Sequence, residues 1–488
     1  MLVGPLLAVA WRAEGWGGLR ASDWAALRFT LGQAAVSAAL SVLLAVPVAR
    51  ALARRAFPGR GAVILLLGAP FILPTIVAVL GLVAAFGRSG WLGALGVEAD
   101  VYGPQGIVLA HVFLNMPLAV RLLLQGWAAV PGERLRLAAS LGMGPADVFR
   151  TVEWPMLRAV VPGVALVIFL LCTTSFAVVL TLGGGPRATT VELAIYQAFR
   201  FDFDLGRAAM LAGLQLALGA VAALATLRLA LPGGPGAGLD RAHRRWDAGG
   251  RWLRAQDALA VALACAFLLG PMAAVLGGGL GALADLPASV WAAALRSLAV
   301  AIAAAVLTAA VALPMALAVA RGRSWVELVG TLAVTASPLV LGVGLYVLIL
   351  PVANPVAWAL PVTAGVNVAL SVPFALRALV PAMRDLEAGH GRLAEALGLR
   401  GRTWLRLVAL PRLARPLGYA MGLAAALAAG DLGVIALFAR PGDATLPLAL
   451  YQLMGSYRLE EAKAAALILV AMSLGLFWVM ERGARWRS

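Results

Sequence analysis

The sequence predicts an all-α, polytopic membrane protein. Of its 488 residues, 62% are hydrophobic and only 13% are charged, whereas soluble domains carry roughly 25% charged residues. Apolar runs of about 20 residues recur along the chain, and each is long enough to cross the ~30 Å hydrocarbon core of a bilayer. Because the backbone cannot bond to water inside that core, these runs are expected to be helices.

Eleven apolar runs are long enough to span, and a twelfth candidate lies at the N-terminus. Residues 2–11 are apolar but too short to cross alone, and we interpret them as part of a first helix. Counting that segment, the chain has about twelve transmembrane helices. The eleven longer runs lie at about 27–49, 62–86, 104–124, 159–182, 208–231, 257–280, 291–320, 326–350, 355–376, 415–438 and 463–481.

The basic residues fix the expected orientation. Of 39 basic residues, 28 fall in alternate loops, which the positive-inside rule places in the cytoplasm. The net charge of +16 is dispersed between apolar runs rather than gathered on one domain, so no nucleic-acid partner is expected. The protein is therefore expected to be a multi-pass membrane protein, in contact with membrane lipid.

Catalytic and cofactor chemistry find little support in the sequence. The only lysine, Lys463, lies between alanines rather than in a phosphate-binding loop, so the chain is not expected to hydrolyse ATP itself. The three histidines, His111, His243 and His390, are scattered over different segments, so no metal site and no cofactor are expected.

The sequence contains an internal repeat. "MPLAVR" at 116–121 matches "VPFALR" at 372–377, and "ATTVELAIYQ" at 188–197 matches "DATLPLALYQ" at 443–452. We therefore predict two parallel transmembrane halves, 1–230 and 257–488, joined by a Gly/Pro-rich and then basic cytoplasmic linker, 231–256.

The most informative repeat is an Arg-bearing cytoplasmic segment. "RLAASLGMGPADVFRTVEWP" and "RLAEALGLRGRTWLRLVALP" share one frame, and lie within the predicted loops 132–155 and 385–411. Leucines spaced i, i+4 give a narrow apolar stripe, small alanines let a partner approach, and glycine ends the first helix. The candidate coupling residues are Arg136, Ala138, Gly142 and Pro155 in the first copy, and Arg392, Ala394, Gly398 and Pro411 in the second.

Two interpretations of this helix–turn–helix are open. It can lie on anionic lipid as an amphipathic helix pair, or it can be a platform for a partner protein. Because two copies occur in equivalent places, we favour a duplicated partner.

The frame of glycine, nine residues, an aliphatic residue, any residue and Leu-Pro resembles the "EAA" coupling loop of ABC importer permeases. The literal Glu-Ala-Ala is absent, since Arg136 and Arg392 stand at the Glu position. Within that family, "SFAVVLTLGGGPRATTVELAIYQAF" and "GDLGVIALF" resemble the fused two-half permeases of bacterial thiamine and thiamine pyrophosphate importers.

This resemblance implies two tandem type I permease halves, a cytoplasmic ATPase subunit in two copies, and a periplasmic thiamine-binding protein. It implies a place in the bacterial inner membrane and import by alternating access. A fused ferric-iron importer permease shares this architecture and is the alternative within the family. A gradient-driven secondary transporter is the alternative from another class, but it would be expected to hold more acids within its spans.

Four further residues are candidates for function. Asp431 is an ionisable group within a predicted span, near its outer end, and is either an interfacial acid or a guide for a cationic substrate. Ser175, which opens the SFAVVLTL stretch, is expected on the same substrate path. Tyr196 and Tyr451 hold matching places in outer segments, where they either pack in the core or face a binding protein.

Overall fold

The computed structural model describes residues 3–12, 19–88, 90–94, 96, 100–183, 185–227, 245–332, 337–440 and 442–485. These residues form helices and connecting turns, without a strand among them. Nine helices of this described part are long and apolar enough to cross a membrane. The predicted all-α, polytopic architecture is confirmed.

Twelve helices make up the part of the chain before the predicted linker. They are α1 (Val3–Arg12), α2 (Ala21–Arg54), α3 (Arg60–Leu66), α4 (Thr75–Phe86), α5 (Trp91–Ala94), α6 (Pro104–Ala128), α7 (Gly132–Ser140), α8 (Pro145–Val148), α9 (Trp154–Thr173), α10 (Phe176–Leu182), α11 (Val191–Arg200) and α12 (Leu205–Leu227).

Eleven helices follow the linker. They are α13 (Arg251–Gly279), α14 (Ala288–Ala320), α15 (Ser324–Leu332), α16 (Pro338–Ile349), α17 (Ala359–Ala396), α18 (Gly401–Trp404), α19 (Leu410–Arg412), α20 (Ala414–Ala429), α21 (Gly433–Phe438), α22 (Leu446–Gly455) and α23 (Leu459–Arg485). Within the predicted linker, residues 231–244 lie outside the described part, and α13 begins at Arg251, earlier than the sequence predicted.

Equivalent helices pack in the same way before and after the linker. Helix α2 packs on α6 and α9, and α14 packs on α17 and α20. The first helix of each set crosses to the other set, because α1 packs against α16 and α13 packs against α4. The described helices therefore interleave, and the apolar face of α1 or α13 is covered by the opposite set. The boundaries 1–230 and 257–488 stay a prediction.

Four of the predicted crossings contain interruptions that the hydropathy pattern did not predict. The runs 62–86, 159–182, 326–350 and 415–438 are divided into α3 and α4, α9 and α10, α15 and α16, and α20 and α21. Hydropathy counts apolar side chains and does not register the loss of helical backbone bonds. Irregular backbone at membrane depth is tolerated where protein or a water-filled cavity surrounds it, so these interruptions indicate where such a cavity lies.

Two of the interruptions show how the freed backbone groups are satisfied. At the end of α9 the hydroxyl of Thr173 donates to the carbonyl of Leu170 at 2.7 Å. At the start of α16 the hydroxyl of Ser337 accepts from the amides of Leu339 and Val340. Side-chain hydroxyls thus replace helical partners within the protein.

Candidate coupling loops and central cavity

The predicted turn of the first loop is present. Gly142 adopts a φ of 63°, and the amide of Met143 donates to the carbonyl of Ala138 at 3.0 Å. This is a Schellman C-cap, in which a left-handed glycine ends the helix and satisfies its last carbonyls. Helix α8 then begins with Pro145 at its first turn, and Asp147 accepts from the amide of Gly144 at 3.2 Å.

The second loop repeats this geometry. Gly398 adopts a φ of 66°, and the amide of Leu399 donates to the carbonyl of Ala394 at 2.8 Å. Both loops then pass through one π-helical turn, at 149–153 and 405–409, just before Pro155 and Pro411. The two motifs are therefore one backbone structure used twice.

The loops differ in how they leave the preceding span. Pro131 separates α6 from α7, because proline has no amide to continue the helix and restricts the residue before it. Glu387 stands at the equivalent place in the second half, and α17 continues unbroken from the span to Ala396, so it includes the first helix of the second loop.

Both loops present apolar side chains to solvent. The buried alanines Ala138 and Ala394 face the protein at 3% exposure. The leucines of the stripe face outward, at 61% for Leu137, 63% for Leu141, 59% for Leu393 and 65% for Leu397. Paired exposed leucines on a short helix rimmed by arginine are typical of a contact surface. Arg136 and Arg392 are exposed beside them.

An arginine from an earlier helix lies over an aromatic ring in each loop. The guanidinium of Arg50 lies 4.8 Å from the ring centre of Phe149, and that of Arg321 lies 5.8 Å from the ring centre of Trp404. Cation–π contacts of this kind join each loop to the span that ends beside it.

The first loop is also held by buried ion pairs that sequence reasoning missed. Glu153 is 1% exposed and accepts from Arg50 at 2.6 Å and from Arg245 at 2.8 Å. Arg245 in turn pairs with Asp247 at 2.6 Å, and the indole of Trp246 donates to the carbonyl of Met143. The end of the linker is thereby fastened to the first loop. The signal in the sequence was an acid directly before a span, at the position where the second copy has Ala409.

A cavity of about 410 Å³ lies where the four interrupted crossings meet. Its volume is within the roughly 300–1,000 Å³ of small-molecule sites. Polar and helix-breaking side chains from both halves line it, among them Thr75, Asn115, Ser175, Pro338, Asn367 and Asp431. The cavity extends along α6 to Arg121, towards the face that carries the coupling loops.

The structure brings Asp431 and Ser175 to this one cavity. Asp431 was expected near the outer end of its span, and it lies in the break between α20 and α21. The carboxylate accepts from the amide of Gly433 at 3.1 Å and from the side-chain amide of Asn367 at 3.0 Å. Asp431 therefore binds the first backbone amide of α21, and it also lines the cavity.

The neighbouring polar side chains of the cavity also have partners within the helices. The side-chain amide of Asn115 donates to the carbonyl of His111 at 2.9 Å and contacts the sulfur of Cys172 at 3.4 Å. The hydroxyl of Ser37 lies 3.3 Å from Nδ1 of His111. His111 and Asn367 occupy equivalent positions in the repeat, so each set of helices contributes a polar residue to the cavity at this position.

Aromatic rings pack between the two sets of helices. The rings of Phe199 and Tyr346 are 4.6 Å apart, and those of Tyr346 and Phe438 are 5.5 Å apart. Tyr196 packs against Phe176 at 5.2 Å, next to the same region. The contact between Phe199 and Tyr346 joins the helices before the linker to those after it.

Tyr196 and Tyr451 are half-buried rather than fully presented at the surface. Burial raises the pKa of both phenols, and for Tyr196 the nearby Tyr451 adds to the effect. Helix α11, which carries Tyr196, is amphipathic and buries every residue from Val191 to Ile195. The geometry supports core packing, and a docking role for the two tyrosines stays a prediction.

The fold, the paired loops and the central cavity define a polytopic membrane permease with two matched sets of helices. Comparison with known proteins agrees. The chain is 41% identical over 507 residues to the thiamine transport system permease protein ThiP of Brucella abortus, covering 99% of this chain and 93% of that protein. No protein-family model matches the chain.

Two further relatives carry the same name. The protein of Salmonella typhimurium is 42% identical over 476 residues, and that of Escherichia coli is 41% identical over 484 residues. Each comparison covers 94% of this chain and 89% of the relative. This chain belongs to the family of thiamine transport system permease proteins, and the resemblance found in the sequence is confirmed. It is a transport component of the bacterial inner membrane.

Proposed function

We propose that this chain is the permease subunit of an ATP-driven ABC importer for thiamine or thiamine pyrophosphate. The observation that carries the proposal is the pair of coupling loops with one backbone geometry, in a chain whose relatives are named thiamine transport permeases. Each loop binds one copy of a cytoplasmic ATPase subunit, and a periplasmic thiamine-binding protein delivers the substrate to the opposite face.

The mechanism follows from differential binding to two states. ATP draws the two ATPase subunits together, the loops 132–155 and 385–411 move with them, and the halves rock about the central cavity. The cavity of the described structure reaches towards the loop side, where Arg121 lines it. Nucleotide binding favours the reverse arrangement, in which the cavity opens towards the opposite face.

Asp431 gives the cavity an acid suited to a cationic substrate. Its carboxylate already accepts two hydrogen bonds, so a bound cation gains a charge-assisted contact worth about 1.5–3 kcal/mol. Ser175, at the equivalent place in the first half, offers a neutral hydroxyl instead. The path is therefore acidic on one side, and a single cation binds nearer the second half.

The test is uptake into vesicles that hold the chain with its ATPase subunit, supplied with loaded binding protein. Asp431→Asn removes the charge but keeps a side-chain oxygen that can accept from the amide of Gly433. We expect a KM for thiamine about tenfold or more above wild type, from the contact energy above. Asp443→Asn is the matched control, because Asp443 is an exposed acid outside the cavity.

Three results would count against the proposal. Unchanged uptake by Asp431→Asn would remove the acid from the path. Transport of ferric iron rather than thiamine by the assembled importer would favour the alternative substrate. Uptake driven by an ion gradient without ATP would replace the importer mechanism altogether.

A further inference from the structure

A long apolar groove lies on the outside of the helix bundle, away from the central cavity. It has a volume of about 930 Å³ and runs between α2, α6 and α13. Leu44 and Leu263, on facing walls, are 49% and 60% exposed. Surfaces of this kind at bilayer depth are in contact with acyl chains, so the groove is open to lipid.

The groove has a basic end. Arg50 and Arg54 line it near the end of α2, together with Gln256 and Asp257 at the start of α13. These positions lie on the same face as the coupling loops, because α2 ends and α13 begins there. The remaining lining residues are almost all apolar. The charged side chains of the groove therefore lie at one end, just as the charged headgroup of a lipid lies at one end of its acyl chains.

At this end of the groove, the carboxylate of Asp257 accepts hydrogen bonds from two arginine side chains. The Nε atoms of Arg54 and Arg55 lie 2.8 Å and 2.7 Å from Oδ2 of Asp257, and Arg54 also bonds to Oδ1. Arg54 is 3% exposed, yet its Nη1 has no hydrogen-bond partner among the described residues, and neither has Nη2 of Arg55. The site therefore keeps one uncompensated positive charge and two unused donors.

Glu153 does not neutralise this uncompensated positive charge. It accepts from Arg50, but it also accepts from the buried Arg245, so its charge is already shared between two arginines. Arg251 and Arg254, both exposed on the first turn of α13, add positive charge beside the groove. A buried donor without a partner costs free energy, so a ligand anion is the missing component.

We propose that this groove binds one anionic phospholipid of the leaflet on the coupling-loop side. Its acyl chains lie along α2, α6 and α13, and its phosphate accepts from Arg54 and its basic neighbours. Basic pockets between transmembrane helices recognise anionic headgroups in this way, while the apolar walls bind any acyl chain. A neutral lipid fills the walls equally well but leaves the positive charge unmatched.

Two arginines at this end of the groove also contact the first coupling loop and the linker. Arg50 contacts both Glu153 and Phe149 of that loop, and Arg55 donates to the carbonyl of Ala248 in the linker. Helix α13, which forms one wall, belongs to the second half and packs on α4 of the first. The lipid thus lies at a seam between halves, behind a coupling loop.

The experiment measures lipid retention by native mass spectrometry of the delipidated full-length chain. Phosphatidylglycerol and phosphatidylcholine with identical acyl chains are titrated separately. We expect phosphatidylglycerol to bind at least about fivefold more tightly, as one uncompensated basic residue near a membrane surface predicts. Equal binding of the two lipids would overturn the proposal and leave only an apolar groove.

Two pairs of variants locate the site. Leu263→Trp fills the groove without changing charge and should abolish the tight phosphatidylglycerol adduct, whereas Leu269→Trp, on the same helix and 50% exposed outside the groove, should not. Arg54→Gln should reduce the preference for the anionic lipid to near unity, whereas Arg251→Gln should retain most of it.

The variants are informative even when one of them does not fold. Loss of binding in both tryptophan variants, or in neither, would refute the location of the site. If Arg54→Gln cannot be purified, the comparison of the two lipids on wild type and on Leu263→Trp still decides the proposal.

Discussion

Replacing Gly142 or Gly398 by valine tests whether the two loops dock a partner. Both glycines have a left-handed φ, 63° and 66°, and a β-carbon added at either would meet no other atom within 4 Å. The cost is therefore backbone strain alone, about 1–2 kcal/mol for an L-residue in this conformation. That cost shifts the turn towards other conformations by a factor of roughly 5–30.

The expected result is a loop that no longer presents its leucine pair correctly, in a chain whose spans still insert. The assay is co-purification of the ATPase subunit with each variant, together with ATP hydrolysis stimulated by loaded binding protein. We expect recovery of the ATPase to fall about fivefold or more, in line with the strain.

Matched controls separate strain at the turn from a general effect of valine. Gly132 and Gly389 lie in or beside the same loops, have no atom within 4 Å of an added β-carbon, and do not require a positive φ. Gly132→Val and Gly389→Val should therefore bind the ATPase normally. Full recovery and full stimulation in Gly142→Val and Gly398→Val would show that the segments are lipid-surface helices instead of docking sites.

Three other predictions concern stability and topology. Glu153→Ala should lower the free energy of unfolding by about 3–5 kcal/mol, because the 4% exposed side chain of Arg245 would lose a buried partner. The loss should be seen as a lower Tm in detergent. An unchanged Tm would show that this ion-pair cluster does not stabilise the fold. Burial raises the pKa of Glu192 from 4.5 to about 8. The folded state then holds a proton that the unfolded state releases, so stability should fall as pH rises through this window. Glu192→Gln should abolish that slope, and a persistent slope would assign it to another group. In a variant without native cysteines, a cysteine at Arg400 should react with an impermeant thiol reagent only in opened cells, whereas one at Arg187 should react in intact cells. Labelling of position 400 in intact cells would show that the predicted orientation is wrong.

Composition and the internal repeat predicted the elements of this protein well. Crossings follow from apolar length, which is a local property, and so the all-α architecture could be predicted without knowledge of the packing. The coupling turns could also be predicted, because a glycine that ends a helix with a left-handed φ needs only its own neighbours in the chain. Gly142 and Gly398 show this directly.

Tertiary structure decided which distant residues meet. Asp431 and Ser175 belong to different halves, and only the packing of four interrupted crossings places them on one cavity. Glu153 and Arg245 are far apart in sequence, so no periodicity could pair them, and the same is true of Arg54 with Asp257. The interruptions between α3 and α4 and between α20 and α21 carry little hydropathy signal, because they remove backbone hydrogen bonds while the side chains stay apolar. Local free energies determine helices and caps, whereas cavities and buried ion pairs depend on contacts that form only when the helices pack.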